Sequence, residues 1–481
     1  MQAVPSEYLA IDRKERANKP FSDLDLRPAQ TRTSDFEDVV IEFNPERAML
    51  QASRCVHCPD PAPCMLACPA NNDIPSAMWL IEQGKFLEAA QLYHLTSSLP
   101  EVCGRVCPHE QLCQGSCVHN KDHEPVLTGE LEAFAVDYER RTTGYSIPVG
   151  KPTGKKVAVV GSGPAGLGCA DVLVQNGYDV TVFEARPAPG GLLVYGIPNF
   201  KLSKSVWFEK WEEFERVGVK FVPNTYIGRD ITIDGLFEKG FEAVFLGVGS
   251  EIDAKMEDTP GTDLPGVYQA TDFLIRGNVA RNLLPADMKE PLKIGKRVVV
   301  IGGGDTASDC LRTALRMGAA EVTCLYRRTE KEMPGGKKDR RMAREEGAKY
   351  RFLTQPVKFI AGEDGHLAAV ECIEMVLGEP DTKGRRRPVP VPNSNFSVAC
   401  DTAILALGYW PDPIISKTTP DLQTHDWGLI TVTDKATGAT SRPGVYSAGD
   451  CVTGPDIVVT AMVGGRKAAF AIDEYLKNKN Q

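Results

Sequence analysis

The sequence predicts an α/β protein in which a helical, cysteine-rich N-terminal domain precedes two Rossmann-like dinucleotide-binding domains. Three observations favour this fold class. A strand, a glycine turn, a helix and a second strand follow one another at 155–185 and again at 296–326. Eight of the 14 cysteines lie between Cys55 and Cys117. Residues 74–95, IPSAMWLIEQGKFLEAAQLYHL, place apolar side chains at the three- and four-residue spacings that are typical of a helix.

The composition limits the classes of protein that this chain can belong to. Its 481 residues suffice for about three domains. The net charge of -9 argues against nucleic acid as the main partner, and no apolar run reaches the ~18 residues that cross a bilayer. The start, MQAVPSEYLAIDRKER, lacks the apolar region of a signal peptide. We therefore expect a cytoplasmic protein that binds neither nucleic acid nor membrane.

Changes in composition and motifs along the chain predict four segments. Residues 1–150 form the helical domain, which ends in the linker TTGYSIPVGKPTG. Residues 151–285 and 400–481 build the first dinucleotide-binding domain from two separated stretches. Residues 286–399 build the second such domain, which is inserted between them.

The first strand–turn–helix unit carries a G-x-G-x-x-G motif. Gly161 permits a tight turn, Gly163 lets a pyrophosphate approach the backbone, and Gly166 lets the helix pack on the strand. The next strand ends at Glu184, where a carboxylate can bind ribose hydroxyls. A glycine turn that serves packing alone is the alternative. The predicted cofactor-binding residues of this unit are Gly161, Gly163, Pro164, Ala165, Gly166 and Glu184.

The second unit carries the G-x-G-x-x-A variant of the motif. Its second strand ends in Arg327 and Arg328, at the position where an NAD site usually has an acid. Guanidinium groups bind phosphate in a bidentate manner, so this site favours NADP(H) over NAD(H). A solvated basic loop is the alternative, since KKDRRMAR follows closely. The predicted residues here are Gly302, Gly304, Asp305, Thr306, Ala307, Arg327 and Arg328.

The C-terminal segment VYSAGDCV (445–452) predicts a strand that delivers Asp450 to a glycine turn before a last helix. With the two glycine motifs, this segment resembles the two-dinucleotide-fold flavoprotein reductases. The resemblance implies that FAD binds the first unit and the returning segment. It also implies that Asp450 contacts FAD and that GGLLVYGIPNFKL (190–202) lines the flavin. The residues implied at this cofactor are Gly191, Leu192, Gly449 and Asp450.

The same resemblance implies how the two domains join and what they do. The glycine turns LGVGS (246–250) and ALGY (406–409) are expected to mark the crossings between the domains. FAD and NADP(H) together make hydride transfer the expected first step. This transfer needs stacked cofactors more than an acid or a base, so no catalytic side chain is predicted.

The cysteines of the N-terminal domain follow two regular spacings. C-x2-C-x5-C-x3-C and C-x3-C-x5-C-x3-C describe Cys55, Cys58, Cys64 and Cys68, and then Cys103, Cys107, Cys113 and Cys117. In a reducing compartment, such a dense set is more often metal-binding than disulfide-bonded. The short spacings suit cubane iron-sulfur ligation, whereas zinc knuckles usually lie about 12–20 residues apart. Zinc and non-ligand thiols remain the alternatives. The six scattered cysteines are expected in or near the core.

Further motifs extend the resemblance to nearly the whole chain. They are RC-x-x-C, VCGRVCP with LCQGSC, GSGPAGL, GGLLVYGIPNFKL, IGGGDTASDC, CLYRR with MPG, and AGD. From about residue 36 to 475, the chain resembles the small (beta) subunit of NADPH-dependent glutamate synthase. The N-terminal domain is also similar to that of dihydropyrimidine dehydrogenase, and the whole chain to the large subunit of NADH-dependent ferredoxin:NADP oxidoreductase.

The resemblance implies two [4Fe-4S] clusters whose ligands are shared between the cysteine groups. The implied sets are Cys55, Cys58, Cys64 and Cys117 for one cluster, and Cys68, Cys107, Cys113 and Glu132 for the other. Cys103 would then be a non-ligand, and Glu132 as a solvated helix residue is the alternative. One departure concerns the first group, which has five residues between Cys58 and Cys64 where the family pattern has four.

The function that this resemblance implies is electron input from NADPH. FAD and the two clusters would pass electrons to a larger catalytic subunit, that of glutamate synthase, which forms glutamate from glutamine and 2-oxoglutarate. The only C-x-x-C pair is Cys55 and Cys58, so the electrons are expected to leave through the N-terminal domain. One alternative is a ferredoxin:NADP transhydrogenase or electron-bifurcating subunit, with ferredoxin or a small NAD-binding flavoprotein subunit as partner. The other is a zinc-stapled NADP-binding scaffold without turnover.

Overall fold

The computed structural model describes residues 11–380, 384 and 386–479. The signal-peptide prediction falls mainly on residues 1–10, which lie outside the described residues. The helical domain follows, and 3-10 turns at His109–Gln111 and Val118–Lys121 link its last two helices. Its elements are α1 (Arg13–Ala17), β1 (Asp25–Leu26), α2 (Ala29–Arg32), β2 (Val40–Ile41), α3 (Pro45–Ala52), α4 (Pro63–Ala67), α5 (Ile74–Glu82), α6 (Phe86–His94), α7 (Pro100–Val106) and α8 (Thr128–Thr142).

Local sequence explains where these helices begin and end. Proline occupies the first turn of α3, α5 and α7, where its missing N–H would have no intrahelical partner. Asn44 and Asp73 cap α3 and α5 by accepting backbone N–H bonds. The helix-like stretch 74–95 is two helices, because Gly84 turns the chain in a left-handed conformation with φ of +72°.

The first dinucleotide-binding domain begins with a βαβ unit, as predicted. The helix α9 starts at Pro164, directly after the glycine turn. The elements of this stretch are β3 (Lys156–Val160), α9 (Pro164–Gln175), β4 (Asp179–Phe183), α10 (Leu192–Tyr195), α11 (Lys204–Arg216), β5 (Lys220–Val222), α12 (Ile233–Glu238), β6 (Ala243–Leu246) and β7 (Ile252–Asp253).

The second dinucleotide-binding domain is a parallel sheet that carries an antiparallel insertion. Three-residue 3-10 turns lie at Arg281–Leu283, Ala286–Met288 and Glu330–Glu332. The elements are β8 (Val267–Gln269), α13 (Ala270–Asn278), β9 (Arg297–Ile301), α14 (Asp305–Arg316), β10 (Glu321–Leu325), α15 (Lys337–Glu345), β11 (Lys349–Arg351), β12 (Thr354–Ala361), β13 (Leu367–Pro380), β14 (Arg386–Pro390), β15 (Phe396–Ala399) and β16 (Thr402–Leu405). The parallel sheet has the order β11-β10-β9-β16-β8, and β12 to β15 form the separate antiparallel sheet.

The chain then returns to the first domain. The returning elements are β17 (Tyr409–Trp410), α16 (Ile414–Thr418), β18 (Val432–Asp434), β19 (Ala439–Thr440), β20 (Val445–Ser447), α17 (Asp450–Thr453) and α18 (Val458–Asn478). The strand β20 pairs in parallel with β6, which gives a seven-stranded sheet of order β18-β19-β20-β6-β3-β4-β5. The long helix α18 packs on α9 and covers the glycine turn.

The strands favour domain crossings that differ from the predicted segment boundaries. The five-stranded sheet includes β8 and β16, which lie outside the predicted range 286–399. The antiparallel ribbon of β7 and β17 connects the domains, and each of these strands follows one of the predicted crossing turns closely. The strands β7 and β17 are short and lie outside the βαβ pattern, so this pattern does not assign them to either domain. The crossings therefore lie near 250 and 407.

The buried core joins the helical domain to the first dinucleotide-binding domain. Leu99, which precedes α7, and Val102 of α7 belong to the same buried cluster as Val157 of β3 and Leu167 of α9. The six scattered cysteines are all buried, as expected. Each helix in the described part of the chain is too short or too polar to cross a membrane. The predicted α/β fold class with a helical domain and two dinucleotide-binding folds is confirmed.

Candidate functional site

In the first glycine turn, two glycines are required by close packing, and a third leaves the backbone accessible to a ligand. Gly161 has φ of +92°, and a Cβ on Gly166 would overlap the carbonyl oxygen of Gly161. These two positions therefore require glycine for the fold itself. A Cβ on Gly163 would meet nothing within 4 Å, because this residue faces an open cavity at the N-terminus of α9. A helix N-terminus with accessible backbone N–H groups suits a pyrophosphate.

The cavity beside this turn, called the Gly163 cavity, gathers most of the residues predicted for the first cofactor. Gly166 does not line the cavity, because it packs against the Gly161 carbonyl. The predicted residues that line the cavity are Gly161, Gly163, Pro164, Ala165, Glu184, Gly191, Leu192, Gly449 and Asp450. The first unit and the returning segment thus face one cavity.

Glu184 is buried and bonded to the turn. Its carboxylate accepts the backbone N–H of Ser162 at 3.0 Å and that of Arg186 at 2.9 Å, as well as the Ser162 hydroxyl. Burial raises the pKa of Glu184, and the charge of Glu251 adds to this. The carboxylate that was predicted to bind ribose therefore also holds the glycine turn in shape.

Asp450 lies at the start of α17, half-buried in the wall of the Gly163 cavity. Burial raises the pKa of Asp450 to about 7, while a backbone hydrogen bond from Asp456 opposes this rise. The Ser250 hydroxyl donates to the backbone carbonyl of Asp450 at 2.9 Å and fixes the turn. The Asp450 carboxyl thus lies in the cavity wall and accepts one backbone hydrogen bond, from Asp456.

The second glycine turn repeats this division of roles. A Cβ on Gly302, whose φ is +147°, would overlap the carbonyl oxygen of Ala406, whereas a Cβ on Gly304 would meet nothing within 4 Å. Ala307 is buried. The loop at 333–336 covers part of the turn, since the Gly335 N–H donates to the Gly303 carbonyl at 3.1 Å. Asp305 accepts the Gly336 N–H at 2.8 Å.

The arginines after β10 differ in their surroundings. Arg327 is exposed, and Arg328 is half-buried with its Nε unpaired. A further cleft, which Glu110 and Glu330 also line, is rich in cations, and these lie mostly on α15, in the KKDRRMAR stretch; Arg344 pairs there with Glu330 at 2.8 Å. Its basic residues are Lys331, Lys337, Arg340, Arg341 and Arg344. Sequence reasoning did not assign this cleft, and the charge run itself was the signal that could have done so.

A larger cavity, called the interdomain cavity, lies where the three domains meet. Asp305 and Thr306 of the second glycine turn line it, and so does Cys107 of the helical domain. Leu192 and the segment 456–458 line both this cavity and the Gly163 cavity. The two dinucleotide sites therefore open toward each other at Leu192, in the loop that was expected to line the flavin.

The cysteines of the helical domain surround two further cavities. The inner thiol cavity is lined by Cys68, Cys103, Cys107, Cys113 and Glu132. The outer thiol cavity is lined by Cys55, Cys58, Cys64 and Cys117. Within the described residues, no group of three or more His, Cys, Asp or Glu side chains is close enough to hold a single metal ion.

Glu132 belongs to the interior, so it is not a solvated helix residue. Only 8% of it is exposed, and burial raises its pKa to about 8, with a further contribution from the charge of Glu101. The Thr128 hydroxyl bonds the Cys113 sulfur at 3.1 Å. Cys103 lines the same cavity, so the inner cavity offers five potential ligands where a cubane cluster needs four.

The extra residue between Cys58 and Cys64 is accommodated at the surface. Pro59, Asp60 and Pro61 are exposed, while Ala62 is buried at the start of α4. Cys64 therefore reaches the outer cavity with Cys55 and Cys58. Burial raises the pKa of the Cys55 thiol to about 12, so a cationic centre must compensate these thiolates when they ionise. This donor set fits an iron-sulfur cluster.

Comparison with known proteins agrees with these sites. A family model described as dihydropyrimidine dehydrogenase domain II, 4Fe-4S cluster, matches residues 32–144. One described as pyridine nucleotide-disulphide oxidoreductase matches residues 155–465. The NADPH glutamate synthase small chain of Halomonas elongata is 43% identical over 475 residues, which cover 96% of this chain and 99% of that one. The chain belongs to the glutamate synthase small-chain family.

Other relatives in and around this family carry different names. The glutamate synthase small chain of Escherichia coli is 41% identical over 94% of this chain and 96% of its own. The putative oxidoreductase AegA of the same organism is 41% identical over 94% of this chain and 69% of its own. The fold is similar to Mycobacterium tuberculosis FprA in complex with NADPH, with a TM-score of 0.57 and 21% identity over 69% of this chain and 86% of that one.

These findings establish the general activity of this chain. The chain is an NADPH-linked oxidoreductase subunit that binds FAD, NADP(H) and iron-sulfur, and its relatives are subunits of larger enzymes. The suspected resemblance is therefore confirmed.

Proposed function

We propose that this chain oxidises NADPH and delivers the electrons through FAD and two [4Fe-4S] clusters to the large subunit of glutamate synthase. The observation that supports this route is the serial arrangement of the cavities. The interdomain cavity touches both dinucleotide sites and also Cys107, which in turn lines the inner thiol cavity. Ile74 and Thr128 line both thiol cavities, so these lie side by side.

The Gly163 cavity would hold FAD. The N-terminus of α9 at Gly163 would bind the pyrophosphate, and Asp450 would accept hydrogen bonds from the ribityl chain. Gly191 and Leu192 would place the flavin at the junction with the interdomain cavity. The close backbone contacts at Gly161 and Gly166 would fix the turn that carries this site.

The second glycine turn would hold NADPH. The N-terminus of α14, with Gly304, Asp305 and Thr306, would face the pyrophosphate, and Ala307 supports the helix from its buried side. Arg327 and Arg328 would bind the 2′-phosphate, because guanidinium bonds phosphate in a bidentate manner. The nicotinamide would then point into the interdomain cavity.

The two thiol cavities would hold one cluster each. The ligands would be Cys68, Cys107, Cys113 and Glu132 in the inner cavity, and Cys55, Cys58, Cys64 and Cys117 in the outer cavity. FAD accepts electrons in pairs and releases them singly, and iron-sulfur clusters carry single electrons onward. The helical domain would hold both groups through these side chains. The outer one lies nearer the surface, where a partner can receive the electrons.

Glutamate synthase is the partner that the comparisons favour among the named relatives. The match to its small chains covers 96% and 99% of those proteins. The match to AegA covers 69% of that protein, and the match to the beta subunit of the NADP-dependent formate dehydrogenase of Moorella thermoacetica covers 60%. The shared region thus spans nearly all of the glutamate synthase small chains and a smaller share of the other two relatives.

Mixing the purified chain with a glutamate synthase large subunit tests this proposal directly. We expect NADPH oxidation that depends on both glutamine and 2-oxoglutarate and yields glutamate. A control replaces the large subunit with reduced ferredoxin and NADP+. Rapid NADP+ reduction by ferredoxin, with no response to glutamine and 2-oxoglutarate, would instead identify the transhydrogenase.

The proposed order of carriers is tested by Cys64→Ala. This change removes one ligand of the outer cavity and lies away from both dinucleotide sites. We expect NADPH to reduce the flavin at nearly the unmodified rate, while electron delivery to the partner falls by at least about tenfold. Cys400→Ala, in the buried core of the second domain, is the matched control. Equal loss of both activities in Cys64→Ala would contradict the order.

A further inference from the structure

The helix α1 contacts the loop that carries two thiols of the outer cavity. Arg16 donates through Nε to the carbonyl of Cys55 at 2.6 Å. Arg13 donates to the carbonyls of Val56 and His57, each at 3.1 Å. Three consecutive carbonyls of the loop are therefore held by side chains that lie about 40 residues away in sequence.

The other end of this loop is held in a similar way. The His119 ring faces the carbonyl of Arg54 at 2.9 Å. His119 lies two residues after Cys117, which is the fourth thiol of the outer cavity. Each carbonyl from Arg54 to His57 thus has a side-chain donor that comes from outside the loop. The backbone N–H of His57 donates toward the Cys55 sulfur.

Arg16 itself is held rigidly. It is 7% exposed and forms a two-point ion pair with Glu82 at the end of α5, with distances of 3.0 and 2.5 Å. Its second terminal nitrogen also lies 3.1 Å from Nε2 of His57. A guanidinium only donates hydrogen bonds, so this ring nitrogen must accept. His57 adopts a left-handed backbone with φ of +46°, which is uncommon for a residue that is not glycine.

We propose that Arg16, oriented by Glu82, is a positioning residue that fixes the Cys55–Cys58 loop and sets the reduction potential of the outer iron-sulfur cluster. Arg13 supports the same loop from the surface. This inference rests on the proposed function, because it requires a cluster in the outer cavity. Hydrogen bonds, nearby charge and exposure are the factors by which a protein tunes a cluster potential.

The opposite charges of Arg16 and Glu82 predict the direction in which each variant shifts the reduction potential of the outer cluster. In Arg16→Gln, the carboxylate of Glu82 loses its buried cation, and the added negative charge disfavours reduction of the outer cluster. In Glu82→Gln, the cation remains and its counter-charge is lost, which favours reduction. The two variants should therefore shift the midpoint potential of one cluster in opposite directions. A purely structural role would weaken the cluster in both variants without this opposition.

The experiment is an anaerobic redox titration of the full chain, followed by electron paramagnetic resonance. We expect the potential of one cluster to be more negative in Arg16→Gln and more positive in Glu82→Gln, with the flavin potential unchanged. Arg16→Lys keeps the charge but has fewer donors, so its shift should be smaller. Arg27→Gln, an arginine of the same N-terminal region that bonds Asp35 and Glu37, is the control with no expected shift.

Iron retention gives a second measurement. On exposure to air, Arg16→Gln should lose up to about half of its iron while it keeps FAD, because only one of two clusters is affected. Unchanged potentials and iron retention in both variants would overturn the inference but leave the proposed function intact. An unmodified chain with only one cluster would overturn the proposed function as well. If Arg16→Gln fails to fold, the sign of the Glu82→Gln shift decides.

Discussion

The two glycine turns start their helices with nearly the same backbone angles but have very different surroundings. Gly163 and Gly304 begin their helices with φ,ψ of -72°,-178° and -86°,-177°. The first turn lies beneath α18, whose Gly465 packs so closely that a Cβ there would overlap the Ala165 carbonyl. The second turn is covered by the loop at 333–336, through Gly335.

This difference matches two ways of using a nucleotide. A site that is closed by packed helices must be assembled around its ligand and suits a cofactor that stays bound. A site that is closed by one loop can open without loss of core packing and suits a substrate that exchanges. We therefore expect the first turn to determine the stability of the protein and the second turn to determine its affinity for NADPH.

The largest effect is expected from Gly166→Ala. Its new methyl group would overlap the Gly161 carbonyl, so the backbone must move in a turn that packs beneath α18. We expect a loss of about 3 kcal/mol or more in the free energy of unfolding, together with loss of FAD. Thermal unfolding and flavin content measure both effects.

The reverse change at the second turn is the matched control. Ala307→Gly, at the third position of the second motif, should cost only about 1 kcal/mol through helix propensity. Equal destabilisation by Gly166→Ala and Ala307→Gly would remove the contrast between the two turns.

A smaller effect is expected when Arg327 and Arg328 are both changed to Ala. Loss of charge-assisted bonds to the 2′-phosphate should weaken NADPH binding by about 2 kcal/mol, or roughly thirtyfold in Kd. NADH lacks this phosphate, so its binding should stay the same. Calorimetric titration with each nucleotide measures the ratio. Equal weakening of both would transfer the phosphate-binding role to the cationic cleft on α15.

The smallest effect is a pH dependence at the first turn. The pKa of Asp450 is raised to about 7, so the folded state retains a proton that the unfolded chain releases near its ordinary value of 3.8. The stability of FAD-free protein should therefore fall as the pH rises between these values. Asp450→Asn should match the unmodified protein near about pH 4 and exceed it by about 2 °C in Tm above about pH 8. A constant difference across this range would contradict the assignment.

Local patterns predicted the parts of the molecule that local physics determines. The glycine motifs placed both turns, because Gly161 and Gly302 need backbone angles that other residues avoid. The carboxylate and the arginines at the two strand ends followed from the βαβ geometry. Grouping of the cysteines into two sets came from family resemblance, since spacing alone does not assign Cys117 to the first set.

Contacts between distant segments could not be predicted from the sequence. The strands β8 and β16 join the second sheet through pairing partners that no local period identifies. The antiparallel sheet β12–β15 was hidden for the same reason. The bond of Arg16 to Cys55 joins residues 39 positions apart, and nothing in the RKERA helix signals it. Cys103 in the inner cavity was likewise identified only by the fold.

Two adjacent valines in the first turn of α18 line different cavities. Val458 lines the Gly163 and interdomain cavities, and Val459 lines the inner thiol cavity. With FAD in the Gly163 cavity and a cluster in the inner thiol cavity, as proposed, one helical turn would separate the two groups and no domain movement would be needed. Tunnelling across it should be indifferent to solvent viscosity, whereas arrival of the nicotinamide beneath the 333–336 loop should slow in glycerol or sucrose.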